Sequence, residues 1–89
     1  MTRKEQARRS ADGFRRSEKE ERRLNELAVA TFGRGSGGQF LDYLKQMTGA
    51  AFDENVSEGQ LRHVNGQRAL VALIDQRVAL GRKQRSETK

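Results

Sequence analysis

The sequence predicts an all-α fold, and three observations point to it. Apolar residues recur at helical spacing, most clearly in GQFLDYLKQMTG, residues 38–49. Ser17 and Ser57 are each followed three residues later by Glu or Gln, the pattern of a capping box at a helix start. The most apolar run, ALVALI at residues 69–74, is rich in Ala and Leu and does not alternate as a half-buried strand does.

We therefore expect a helical hairpin, a separate N-terminal helix and basic flexible tails. The hairpin helices span about residues 38–48 and 58–80, and the N-terminal helix spans about 18–32. The chain divides into a basic, partly disordered N-terminal segment, a small helical domain and a basic C-terminal tail, at residues 1–23, 24–81 and 82–89.

The packing faces follow from the spacing of the apolar residues. In the N-terminal helix the expected face is Leu24, Leu27, Ala28 and Phe32, and Gly33 ends the helix. GRGSGG, residues 33–38, is then a flexible elbow. The hairpin is expected to bury Phe40, Leu44 and Met47 against Leu61, Val64 and Val71, with residues 50–57 as its loop.

The last helix carries two further expectations. Because ALVALI is apolar nearly all round, it is typical of a buried helix that ends at Gly81. Gly66 lies inside this helix, where glycine costs roughly 1 kcal/mol relative to alanine, so a close helix–helix approach is expected there. An alternative is that Asn65-Gly66 is the turn of a β-hairpin between two strands.

The glycines before residue 39 do not predict a nucleotide site. Gly33 and Gly38 have the separation of a phosphate-binding loop, but Gln39 and Phe40 stand where a Lys and a hydroxyl residue are needed. Gly33, Gly35 and Gly38 also fit GxGxxG, yet too little chain follows for the βαβ units of a dinucleotide fold. We expect no cofactor.

No catalytic or metal-binding residue is predicted. His63 is the only histidine and the chain has no cysteine, whereas a metal site needs several convergent ligands. Ser36 or Ser57 with an aspartate and this histidine lacks a preorganised pocket on so small a scaffold. The protein is therefore not expected to be an enzyme.

The charge of the chain is concentrated at its two ends. The net charge is +6, with nine basic and five acidic residues in 1–23, and four basic and one acidic residue in 79–89. Such segments are attracted to DNA, RNA or acidic protein surfaces. The predicted polyanion-binding residues are Arg8, Arg9, Arg15, Arg16, Arg22, Arg23, Arg82, Lys83 and Arg85.

A protein-docking site is predicted on the last helix. Arg68 and Asp75 share a helix face with apolar residues, so they form either the rim of the core or a contact with a partner, and we favour the partner. The predicted partner-binding residues are Gly66, Arg68, Leu70, Ile74 and Asp75. No apolar run approaches the length of a membrane span, and the N-terminus lacks a secretory signal.

The order FG…GGQFLDYLKQMTGAAFDE, an acidic loop and EGQLRHVNGQRALVALI resembles a family of short podovirus proteins encoded among the phage head and portal genes. The resemblance covers about residues 31–80. The features that carry it are Phe32, the Gly38–Leu41–Leu44 helix, Gly49 with Phe52, and Glu58 with Gly66-Gln67-Arg68. It implies a helical, non-enzymatic protein of the virion.

The resulting hypothesis is a small structural protein of a tailed phage, present in the virion and in the host cytoplasm. It would bind portal or capsid proteins in several copies at the portal, the head–tail junction or the inner capsid, with its basic tails on DNA or an acidic protein surface. The alternatives are a nucleic-acid-binding module for genome packaging, with residues 60–68 as its recognition helix, and a host-directed regulator.

Overall fold

The computed structural model of the protein describes residues 12–49 and 57–87. They form three α-helices: α1 is Glu18–Phe32, α2 is Gly35–Thr48 and α3 is Glu58–Glu87. These two ranges contain no strand, so the all-α prediction is confirmed and the β-hairpin alternative is wrong. The expectations for residues 1–11 and 50–56, including Arg8, Arg9 and Phe52, lie outside the described residues.

Both predicted capping boxes lie at helix starts. The Ser17 hydroxyl accepts a hydrogen bond from the Glu20 backbone N–H at 3.1 Å, one residue before α1 begins. At α3 the box is reciprocal, because Ser57 accepts from the Gln60 N–H at 3.1 Å and the Gln60 side chain accepts from the Ser57 N–H at 2.9 Å. The first N–H groups of a helix lack partners within it, so these two serines fix where α1 and α3 begin.

Helices α2 and α3 form the predicted hairpin and run antiparallel. Lys45 Nζ of α2 lies 3.4 Å from Asp75 Oδ1 of α3. Two turns earlier on α3, the Arg68 guanidinium donates to the backbone carbonyl of Thr48 at the end of α2. The Thr48 hydroxyl donates to the Leu44 carbonyl at 2.8 Å, so this buried polar side chain has a partner.

Helix α1 turns into α2 through a tight corner and not through the predicted flexible elbow. Gly33 caps α1, with its N–H donating to the Val29 carbonyl at 2.9 Å, and α2 begins two residues later. Gly35 has φ of +65°, a conformation that residues with a Cβ rarely adopt. A Cβ at Gly37 would overlap the Thr31 carbonyl oxygen, so this glycine allows the two helices to meet.

The core is small. It consists of Val29 from α1, Leu41 from α2, and Val71 and Val78 from α3. The residues that pack around it while partly exposed are Ala28, Phe32, Leu44 and Ile74. The molecule is flat, at 49 × 36 × 13 Å, and its radius of gyration of 15.9 Å exceeds the roughly 12 Å of a compact chain of this length. A flat fold with a small core leaves large apolar side chains exposed, among them Phe40, Tyr43 and Leu70.

Helix α3 crosses α1 at Gly81, which is buried. A Cβ there would overlap the Asn25 carbonyl oxygen and lie 2.7 Å from Cγ1 of Val29. The prediction that Gly81 ends the helix is therefore wrong, since α3 continues to Glu87 through most of the expected C-terminal tail. The close approach expected at Gly66 is also wrong within the described residues, because an added Cβ meets nothing there within 4 Å.

The predicted packing stripes are wrong in part. In α2, Phe40 and Met47 are 55% and 47% exposed, while their neighbour Leu41 is 4% exposed. In α1, Leu27 is 50% exposed and Val29 is buried. Each helix offers two adjoining apolar stripes, and spacing alone does not decide which one faces the core.

The ALVALI run is also less buried than its composition predicts. Val71 is buried and Leu73 and Ile74 are partly buried, but Leu70 is 59% exposed. The described helices therefore cover only one arc of this segment.

Gly81 and Gly66, two of the three glycines of α3, should respond in opposite directions to the same substitution. Gly81→Ala should lower the free energy of unfolding by about 1–3 kcal/mol, because the added methyl group meets backbone. Gly66→Ala should raise the free energy of unfolding by up to about 1 kcal/mol, because it gains helix propensity in open space. Urea denaturation followed by circular dichroism measures both, and effects of the same sign would contradict the crossing at Gly81.

Candidate interaction surface

A buried polar network joins α1 to α3 beside Gly81. Asn25 is 6% exposed; its Nδ2 donates to Gln84 Oε1 at 2.8 Å, and its Oδ1 accepts from Arg77 Nη1 at 2.8 Å. Gln84 Nε2 donates in turn to the backbone carbonyl of Arg22 at 3.1 Å. Because both ends of the Asn25 amide are satisfied, the network fixes one position of α1 along α3.

Charged groups extend this network to the segment before α1. Arg77 lies 3.0 Å from Glu21 and 3.8 Å from Asp12, and its side chain is only 12% exposed. Arg16 bridges the same two carboxylates, at 2.7 Å from Asp12 and 3.2 Å from Glu21. Its hydrogen bond to Asp12 raises the pKa of Arg16. The residues just before α1 are thereby held against α3.

Four of the predicted polyanion-binding residues are engaged within the chain. Arg16 belongs to the network above, and Arg23 forms a hydrogen bond of 2.6 Å with Glu20, which lowers the pKa of Glu20. Arg82 donates to the Gly33 carbonyl at the end of α1, and Arg85 lies 2.7 Å from Glu26. The positive charge of these four side chains is therefore partly neutralised or hydrogen-bonded by groups of the chain itself.

The remaining described members of that set are exposed: Arg15, Arg22 and Lys83. A groove of about 500 Å³ between the start of α1 and the end of α3 brings the two basic segments together, with Arg22 and Arg23 on one wall and Arg85 on the other. Glu20 and Glu26 line the same groove, so its charge is mixed.

The predicted partner-binding residues separate into two groups. Arg68 and Asp75 contact α2 within the chain, as the rim interpretation requires, and Ile74 packs against the core. Gly66 and Leu70 are exposed. The partner role of the set stays a prediction, and the exposed pair is the part of it left open to a partner.

Several large apolar side chains are exposed on the hairpin. Phe40, Tyr43 and Met47 recur at three- and four-residue spacing on α2 and are 55%, 53% and 47% exposed. The rings of Phe40 and Tyr43 lie 5.5 Å apart between centroids. Together with Leu70 of α3 we refer to these side chains as the hairpin face.

The phase of the helices places these side chains on one side of the hairpin. The opposite side holds a polar pocket lined by Asp42, Lys45, Asp75 and Arg82. With about 100° between successive residues, Phe40, Tyr43 and Met47 point away from Asp42 and Lys45 on α2, and Leu70 points away from Asp75 on α3. Helix α1 covers this side of α3 near Arg77 and Gly81, and within residues 12–49 and 57–87 the four side chains of the hairpin face are half exposed.

Sequence reasoning missed the network residues Asn25, Arg77 and Gln84. A signal for Asn25 exists, because it lies within the apolar half of α1 beside Leu24 and Ala28. Its partners are more than 50 positions away along the chain, and no local pattern pairs them.

Residues 12–49 and 57–87 contain no group of three or more His, Cys, Asp or Glu side chains that could hold a metal ion. None of the helices in those ranges is both long enough and apolar enough to cross a membrane.

Comparison of the chain with protein-family models, curated proteins and solved structures gave no match.

Removal of the Asn25 amide tests the network. Asn25→Ala removes one hydrogen-bond partner each from Arg77 and Gln84, which keep their contacts with Glu21 and with the Arg22 carbonyl, so the free energy of unfolding should fall by about 1–3 kcal/mol. Gln46→Ala, at an exposed position of α2, is the control and should change it by less than about 0.5 kcal/mol. Chemical denaturation measures the free energy of unfolding of both variants. A similar small change in both would show that the network does not stabilise the fold.

Proposed function

We propose that the protein is a non-enzymatic structural component of a tailed-phage virion. It binds portal or capsid proteins in several copies at the portal, the head–tail junction or the inner capsid. Its basic residues contact DNA or an acidic protein surface.

The observation that carries the proposal is the balance of apolar surface. In the described residues, four apolar side chains form the buried core, whereas eight large ones are exposed. Soluble monomers rarely leave contiguous apolar patches bare without a binding role. We therefore expect these exposed side chains to be buried against other proteins in an assembly. The resemblance to podovirus head and portal proteins indicates that this assembly is the phage particle.

Mass spectrometry of purified, DNA-filled particles tests this function. The protein should be present at a fixed number of copies per particle that matches the symmetry of its site, since oligomeric assemblies repeat their contacts. Empty particles provide the control for DNA-dependent retention. Absence from both preparations would rule out a place in the virion and leave only a role during assembly.

A second candidate function is binding to nucleic acid during packaging. The observation that favours it is that Arg22 and Lys83, one from each basic segment, are exposed on the start of α1 and the end of α3, which the groove brings side by side. Affinity from such contacts falls steeply with salt, with a slope of about −0.9 per phosphate neutralised.

Paired charge variants separate this candidate from a purely protein-docking role. Arg22→Gln with Lys83→Gln removes exposed charges and should reduce the salt dependence of duplex binding by a slope of about 2. Arg23→Gln with Arg85→Gln removes the same charge from residues already paired with Glu20 and Glu26, and should reduce it less. Fluorescence anisotropy at several salt concentrations measures both, and no binding at low salt would exclude the candidate.

A further inference from the structure

We propose that the hairpin face is a self-association surface, on which a second copy of this chain docks. This deepens the proposed function, because it names the first partner of an assembling component. It rests on the exposure, phase and charge of Phe40, Tyr43, Met47 and Leu70.

The hairpin face is free of charge in a chain that is 34% charged. Helix α2 has only two charged side chains, Asp42 and Lys45, and both line the pocket on the other side of the hairpin. Between His63 and Ile74 the only formally charged side chain of α3 is Arg68, which is bound to the Thr48 carbonyl.

This absence of charge favours a second copy as the occupant. In an isologous dimer the same surface of each subunit forms the contact, so a charged side chain on that surface can lie close to its own copy and be repelled by it. A face without charge brings no like-charged side chains together, so only the net charge of +6 on each chain opposes the contact. An acidic partner would gain nothing from this face, because the face offers it no basic group.

The available area sets the strength of the contact. The four half-exposed side chains present on the order of 400 Å² of apolar surface per copy. Used twice, this gives on the order of 800 Å² before the flanking Gly66 and Gln67 are added, which is below the roughly 1,200–2,000 Å² of stable interfaces and in the range of weak, transient ones. The dimer is therefore concentration-dependent and not obligate. Added salt strengthens it, because screening reduces the repulsion between two chains of equal charge.

Sedimentation equilibrium of the full chain measures the association directly. The wild type should shift from monomer to dimer between about 1 μM and 1 mM, and the dissociation constant should fall as salt rises from about 0.05 to 0.5 M. Met47→Glu and Leu70→Glu should each raise the dissociation constant at least tenfold. Leu27→Glu and Leu80→Glu, at exposed apolar positions away from the face, are matched controls and should leave it within twofold.

Variants that carry opposite charges on the hairpin face provide a second test, whose positive result cannot come from unfolding. The double variants Met47→Glu/Leu70→Glu and Met47→Lys/Leu70→Lys should each be monomeric and retain the helical circular-dichroism spectrum. An equimolar mixture should form a one-to-one dimer, because the face that meets itself then brings opposite charges together.

Three outcomes would overturn the proposal: a wild type that is monomeric up to 1 mM, a dimer lost in the Leu27 or Leu80 variant but kept in the face variants, or charged variants that fail to associate on mixing. A monomer that is nevertheless found in the virion would overturn the self-association alone and leave the proposed function intact. If the protein forms the dimer but is absent from particles, the proposed function is wrong and the self-association stands.

Discussion

The close crossing of α1 and α3 at Gly81 is the constraint on which the rest of the structure depends. It allows the Asn25 amide to reach Arg77 and Gln84, and these hydrogen bonds in turn set the position of α1 along α3. Such a network gives specificity where a core of four buried side chains gives little. The tight corner at Gly35 then determines where α2 starts, so the hairpin follows from the crossing.

The same constraint decides which apolar surface remains bare. Because α1 lies on the C-terminal part of α3, it covers the side near Arg77 and leaves Leu70 exposed. Helix α2 turns its Leu41 stripe inward and its Phe40 stripe outward. The uncovered side chains lie on one side of the hairpin and carry no charge, which distinguishes them from the scattered exposed leucines that any small protein carries. A thin fold of this kind is suited to an assembly, where neighbouring copies complete the packing.

Charge in this protein has two uses, and the structure separates them. Arg16 and Arg77 hold the segment before α1 against α3, so they stabilise the fold and are not spare charges for a polyanion. Arg15, Arg22 and Lys83 are exposed members of the predicted polyanion-binding set whose side chains the internal network does not use. Net charge alone therefore overstates the surface available to DNA. The proposed virion role needs only the exposed part, together with an apolar face that is independent of it.

The sequence by itself determined the helical class, the starts of α1 and α3 and the pairing of α2 with α3, because helix spacing and capping by Ser17 and Ser57 are local properties. Only the tertiary structure decided that Gly81 is a crossing point and not a helix end, since that depends on what stands opposite it. The inward stripe of α2 and the partners of Asn25 were undetermined for the same reason. Local sequence patterns indicate which secondary structure a residue favours. Contacts between residues 50 or more positions apart depend on how the helices pack against one another.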